Sequence, residues 1–307
     1  MDLSKVVALF LLIIIGYLAK KFKAVDGSIK GHISKLVLNI TLPLYIFTAM
    51  QFEFSTDVLK EAGQLVVISF VFYFIVTIIS YLYVNFFKMT GRKKDVYQYV
   101  LIFSNVGYMG YPIMYEIAGD KGMFYAAIYN LSFNVLTWTL GVYLMSRHKT
   151  SQKQSNLKER LMHVLNPSLV AVILGFTCFL FSLELPELLI DTFKSVGQVT
   201  TPLSMMFIGI ILAELHLKDI LGDLSMYFLS IMRLLVIPLL TFTILKLLGF
   251  QGLVLTIPVV LAAMPAAANT AIVAERYEND YQLASQMIFI TTLAVILTIP
   301  IILKIIG

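Results

Sequence analysis

Long apolar runs separated by short polar breaks dominate the chain. Read with a window of about 19 residues, ten runs stand out, near 5–22, 31–50, 63–87, 96–118, 122–146, 165–183, 190–212, 223–247, 252–274 and 281–303. Each is close to the roughly 20 residues a helix needs to cross the hydrocarbon layer. The pattern predicts an all-α polytopic membrane protein with ten transmembrane helices. The first run follows Met1–Lys5 directly, lacks a small-residue cleavage site and ends at Lys20, Lys21 and Lys23. It is therefore expected to remain as a span rather than to be removed as a signal.

Composition strengthens this reading. Of 307 residues, 59% are hydrophobic and only 13% charged, and the mean hydropathy is +0.87. Soluble domains carry roughly 25% charged residues, so the ordinary layered soluble folds are excluded. The net charge of +5 does not call for a nucleic-acid partner, because the cations are sided. Sixteen fall in loops on one side, six (Lys5, Lys60, Lys121, Lys194, Lys246, Lys304) on the other, and Arg233 lies within a span. By the positive-inside rule both termini are extracytoplasmic, in a cytoplasmic (plasma) membrane. A single cysteine, Cys178, excludes an intrachain disulfide.

Compared with itself, the chain shows one constant offset of 159 residues. Gly16 falls on Gly175, Lys35 on Lys194, Thr41 on Thr200, Pro43 on Pro202, Gly63 on Gly222 and Glu116 on Glu275. Glycine and proline are scarce here, so their coincidence carries weight. The repeat predicts residues 1–146 as a first five-helix unit, 147–164 as a cytoplasmic linker and 165–307 as a second unit. Five spans is an odd number, so the two units insert upside-down relative to each other, an arrangement found in secondary transporters.

Two spans contain helix breakers at similar depth. Span four reads Ser104-Asn105-Val106-Gly107-Tyr108-Met109-Gly110-Tyr111-Pro112, and span nine reads Met264-Pro265-Ala266-Ala267-Ala268-Asn269-Thr270. Proline donates no N–H, and glycine is costly inside a helix. Unwound backbone survives at membrane depth only where protein or a cavity surrounds it. Half-helix N-termini at such breaks carry partial positive charge and suit a carboxylate, with Asn105 and Asn269 as neutral partners. Breakers that only kink tightly packed helices are the other reading; their occurrence in equivalent spans of an inverted repeat favours a site. The two breaks are not superposable, since Asn105 meets Met264 and Pro112 meets Ala271 at the repeat offset.

Other positions keep two readings. Pro43 and Pro202 are symmetric kinks, with Thr41, Thr200 and Thr201 able to satisfy freed carbonyls, and suit a static scaffold and dimer face. Arg233 is a functional charge or a snorkelling or carbonyl-paired one. Asn130 and Asn134, four apart on one helix face, are inter-helix hydrogen-bonding glue or cavity wall. Glu116 and Glu275 suit helix ends. All four histidines (His32, His148, His163, His216) sit in or beside loops, and no nucleotide-binding motif occurs. No enzyme activity, catalytic residue, metal or cofactor is expected. No aspartate lies deep in a span, which disfavours a sodium- or proton-coupled cation antiporter or a bile-acid-type symporter on a related fold, the alternative reading.

The run Asn105-x-Gly-x-x-Gly-x-Pro112, together with Met264-Pro265 through Ala274-Glu275-Arg276-Tyr277, resembles the auxin efflux carrier family, bacterial type. The resemblance covers nearly the whole chain. It implies crossing, broken helices four and nine, a transport domain of helices 3–5 and 8–10, a dimerising scaffold of helices 1, 2, 6 and 7, and elevator-type movement. It also implies small carboxylate substrates such as malate, malonate or auxin-like acids, with Asn105 contacting them and Pro112 and Pro265 flanking the crossover. Ser104 stands where the plant pattern has a further proline. The expected substrate-binding set is Asn105, Gly107, Tyr108, Gly110, Pro112, Pro265, Asn269 and Thr270, with Asn130, Asn134 and Arg233 as accessories. Membrane lipids and a second copy of the chain are the expected partners.

Overall fold

The computed structural model describes residues 3–26, 28–148, 165–214 and 224–307. Most of the expected linker, with His163, and the stretch holding His216, Lys218, Asp219 and Asp223 lie outside the described residues. The described chain is helical and contains no strand, only one isolated antiparallel bridge. Its helices are α1 (Leu3–Lys21), α2 (29–48), α3 (Thr56–Phe86), α4 (Gly91–Ile102), α5 (106–117), α6 (120–146), α7 (Pro167–Phe181), α8 (Glu187–Glu214), α9 (Leu224–Leu247), α10 (Gly252–Ala262), α11 (Thr270–Arg276) and α12 (Tyr281–Ile306). Among the described residues α3, α8, α9 and α12 are long and apolar enough to cross a membrane, and α7 and α10 are shorter apolar helices. This is a multi-pass membrane protein.

Local chemistry sets several boundaries. Asn166 caps α7, its Oδ1 accepting the Leu169 N–H at 2.9 Å, and Pro167 sits in the first turn where no donor is missed. Asp280 caps α12 in the same way through the Leu283 N–H at 2.9 Å. The junction of α5 and α6 rests on Gly119, whose φ of 60° and ψ of −149° belong to a region only glycine enters readily.

Three prolines follow π-helical turns at the same interval. The turns Val37–Thr41, Val106–Gly110 and Met232–Val236 end two residues before Pro43, Pro112 and Pro238 respectively. A proline cannot serve the carbonyl four residues back. A π turn bonds five residues ahead instead of four, which accommodates that loss without breaking the helix. At Pro43 the repair is therefore made in the backbone, where threonine was expected to make it. The Thr41 and Thr200 hydroxyls are buried and make no hydrogen bond.

The chain divides into two compact units. Unit one comprises residues 1–64, 107–128 and 165–216; unit two comprises 65–106, 129–164 and 217–307. In unit one α1 and α8 approach to backbone contact. A Cβ on Gly16 would collide with the Met206 carbonyl, and one on Gly209 with the Ile13 carbonyl. Between α7 and the turn after α2, a Cβ on Gly175 would lie 2.8 Å from Met50 Sδ. Small residues at such seams are how helices gain packing energy in lipid, where burial of apolar surface contributes little. In unit two α3 turns Val67, Phe70, Val71, Phe74 and Ile78 outward. That exposed apolar face suits lipid.

Candidate functional site

The break in span four begins where α4 stops. Phe103 leaves helical geometry (φ −103°, ψ 117°), and Phe103-Ser104-Asn105 runs extended. In span nine the chain leaves α10 and extends through Pro265 and Ala266. The two extended segments cross as a miniature antiparallel pair within unit two. The Asn105 N–H donates to the Pro265 carbonyl at 2.8 Å, the Ala267 N–H donates to the Phe103 carbonyl at 3.2 Å, and Ser104 bridges Ala266. Ser104, Asn105 and Ala266 are buried.

The polar accounting at this crossing is nearly complete, as burial demands. Pro265 removes a donor that would otherwise need a partner. The Ala266 N–H, facing away from the pair, donates to Thr291 Oγ1 on α12 at 3.1 Å, and that hydroxyl donates onward to the Met287 carbonyl at 2.6 Å. In an unbroken helix the Leu101 carbonyl would accept from the Asn105 N–H, which is committed to Pro265. Arg233, on the π turn of α9, takes its place: its Nη1 donates to the Leu101 carbonyl at 3.0 Å. Arg233 is 0% exposed, so the snorkelling alternative is replaced by carbonyl pairing.

Beyond the crossing, Thr270 starts α11 and donates its hydroxyl to the Ala267 carbonyl at 2.6 Å. Asn269 holds the cap position without a capping bond, and its Oδ1 is buried with no hydrogen-bond partner. Asn130 and Asn134 lie in the unit-two part of α6, where the Asn134 side-chain amide donates to the Asn130 carbonyl at 3.3 Å. This bond stays within one helix.

The remaining expected site residues belong to unit one. Gly107, Tyr108 and Gly110 form the π turn that starts α5, and Pro112 follows it. The Tyr108 hydroxyl shares a 2.7 Å hydrogen bond with Ser34 on α2, and its ring stacks on Phe207 of α8 at 4.7 Å. Gly107 faces open space. Pro43 and Pro202 are in this unit as well.

Sequence reasoning missed a polar knot in unit two. Asp95, just before the apolar part of span four, is buried; Arg147 Nη1 lies 3.3 Å from its Oδ1 and donates to Gln98 Oε1 at 2.9 Å. His148 Nε2 is 3.5 Å from Asp95 Oδ2, and Asn279 Nδ2 donates to that oxygen at 3.4 Å and to the Met145 carbonyl at 2.9 Å. Burial raises the Asp95 carboxyl above its ordinary range, and Arg147 and His148 offset this only in part. The one available signal was Asp95 and Gln98, nearly one turn apart beside a basic loop.

Among the described residues no group of three or more His, Cys, Asp or Glu could hold a metal ion. Asp95 is the only buried acidic residue described. Residues 3–303 match the family described as membrane transport protein. The chain belongs to the auxin efflux carrier family. A transporter of Methanocaldococcus jannaschii, itself uncharacterized, is 28% identical over 94% of this chain and 93% of its own length. The uncharacterized transporter YfdV of Escherichia coli K12 is 21% identical over 97% and 95%. A Rhizobium meliloti relative, provisionally named a malonate transporter, is 22% identical over 96% and 92%. The family and its relatives are transporters, not enzymes.

Proposed function

We propose that this carrier moves small organic anions, with a carboxylate held at the crossing of spans four and nine. The observation that carries the reading is the buried crossing itself: two interrupted helices meet there, flanked by Asn105 and Asn269. A cation exchanger would place a carboxylate in such a position, and Asp95, the one buried acid described, lies at the start of α4 and is already paired. The provisional name of the Rhizobium meliloti relative favours small dicarboxylates.

In this reading ten spans form two inverted five-helix repeats. Spans 3–5 and 8–10 travel in an elevator-like movement against a scaffold of spans 1, 2, 6 and 7, which pairs two copies of the chain in the plasma membrane with both termini outside. Pro265 and Thr270, in the same unit, shape the pathway beside the asparagines. Uptake of radiolabelled malonate and malate into proteoliposomes tests this. Asn105→Ala is expected to lower uptake by at least about tenfold, the loss of one hydrogen bond to a charged group, while the protein elutes and melts as the wild type does. Normal uptake by that variant would sink the site assignment.

A further inference from the structure

Arg233 uses one nitrogen of its guanidinium and leaves two idle. Nη1 serves the Leu101 carbonyl, whereas Nε and Nη2 are buried and make no hydrogen bond. Among the described residues no carboxylate pairs with this cation. Nε and Nη2 form one edge of the planar group, the edge whose two parallel N–H bonds match a carboxylate. Tyr73 and Tyr129 are the electrostatic neighbours of Arg233, and the Tyr129 hydroxyl is also buried without a partner. Unsatisfied groups of this kind are expensive and rare in folded proteins. Here a guanidinium whose idle edge can only donate is electrostatically coupled to a phenol that can donate too. A buried edge left with two unmet donors calls for an acceptor, and an anion supplies one.

We infer that the Nε–Nη2 edge of Arg233, with the Tyr129 hydroxyl, seats the second carboxylate of a small dicarboxylate substrate. This rests on the proposed function: the neutral asparagines at the crossing receive one carboxylate, and the cationic edge, on the same unit, receives the other. Arg233 is thereby a specificity-determining residue, distinguishing a dianion from a monoanion of the same size. Its tie to the Leu101 carbonyl holds the edge in register with α4 immediately before the break.

The test uses the purified full-length protein in lipid nanodiscs, with malonate, its monomethyl ester and chloride as probes, read by calorimetry and thermal shift. Wild-type protein is expected to bind malonate. Arg233→Gln should weaken malonate binding by about 10- to 100-fold, the loss of a bidentate charge-assisted contact, and leave the monoester nearly unaffected. Arg233→Lys keeps the charge without the fork and should fall between. Tyr129→Phe removes one donor and should cost several-fold, which keeps the test alive if the glutamine variant does not fold. Equal malonate affinity in wild type and Arg233→Gln overturns the inference. An equal loss for malonate and the monoester also overturns it, since Arg233 would then act only by holding the Leu101 carbonyl. Arg233-dependent binding of chloride without malonate marks a halide site and overturns it as well. Wild-type protein that binds the monoester but not malonate overturns the inference while the carboxylate-carrier reading survives; wild-type protein that binds neither overturns both.

Discussion

Leu101 loses its helical partner because the Asn105 N–H turns to Pro265, and a single arginine replaces it. Ala266 stands in the same position on the other chain segment, with Thr291 as its replacement partner. An amide buried at the crossing without an acceptor costs about 1–3 kcal/mol. Thr291→Val, which keeps the shape and deletes the hydroxyl, is therefore expected to destabilise the protein by about that amount in thermal unfolding, and Thr291→Ser to restore most of it. A melting temperature unchanged in the valine variant would show that Ala266 finds another acceptor. The sequence marked Arg233 as out of place in a span but left its role open, and Thr291 drew no attention at all. A hydroxyl in an apolar helix is unremarkable until the chain 25 residues away brings an amide to it.

At the scale of elements, the breakers were legible and their repairs were not. Proline and glycine announce where a helix is weakened, because the missing N–H and missing Cβ are properties of the residue itself. Whether the chain answers with a π turn, as before Pro43, Pro112 and Pro238, or with an extended crossing, as at Pro265, depends on what lies alongside. The glycines follow the same logic. Gly16 was matched to Gly175 by the repeat, yet the contact that requires it is with the Met206 backbone on α8. Gly209 is held by α1 from the opposite direction, against Ile13 and Tyr17. Gly209→Ala must push two backbones apart, and overpacking of this kind costs about 1–3 kcal/mol or more. The expected outcome is a lower melting temperature with easier proteolysis of the α1–α8 pair. Gly107→Ala, with open space around it, is the control and should melt as the wild type.

For the molecule as a whole, long-range polar links hold unit two together at the end where α4 begins. Asp95 collects Arg147 and His148 from the end of α6 and Asn279 from the segment before α12. Because its carboxyl is raised in the folded protein, the native state holds that proton more tightly than the unfolded chain does. The stabilisation is complete below the ordinary carboxylate value of about 4 and is lost as pH rises through the raised value. Relative to Asp95→Asn, wild-type protein should therefore lose melting temperature as the pH rises across that window. Parallel pH profiles for the two proteins would exclude the effect.

What the sequence determined by itself was a matter of local composition. Apolar length made the membrane protein, charge sidedness gave an expected orientation, the Met-Pro run located the interruption in span nine, and the Asn-Gly-Gly-Pro run marked only the edge of the one in span four, since solvation cost and backbone propensity act residue by residue. Tertiary structure decided which backbone groups the interruptions would pair, that Arg233 would turn inward to a carbonyl, and that Asp95 would be buried among partners from distant segments. Those outcomes rest on hydrogen bonds whose two ends lie far apart along the chain, and burial makes an unpaired end costly enough to select the partner.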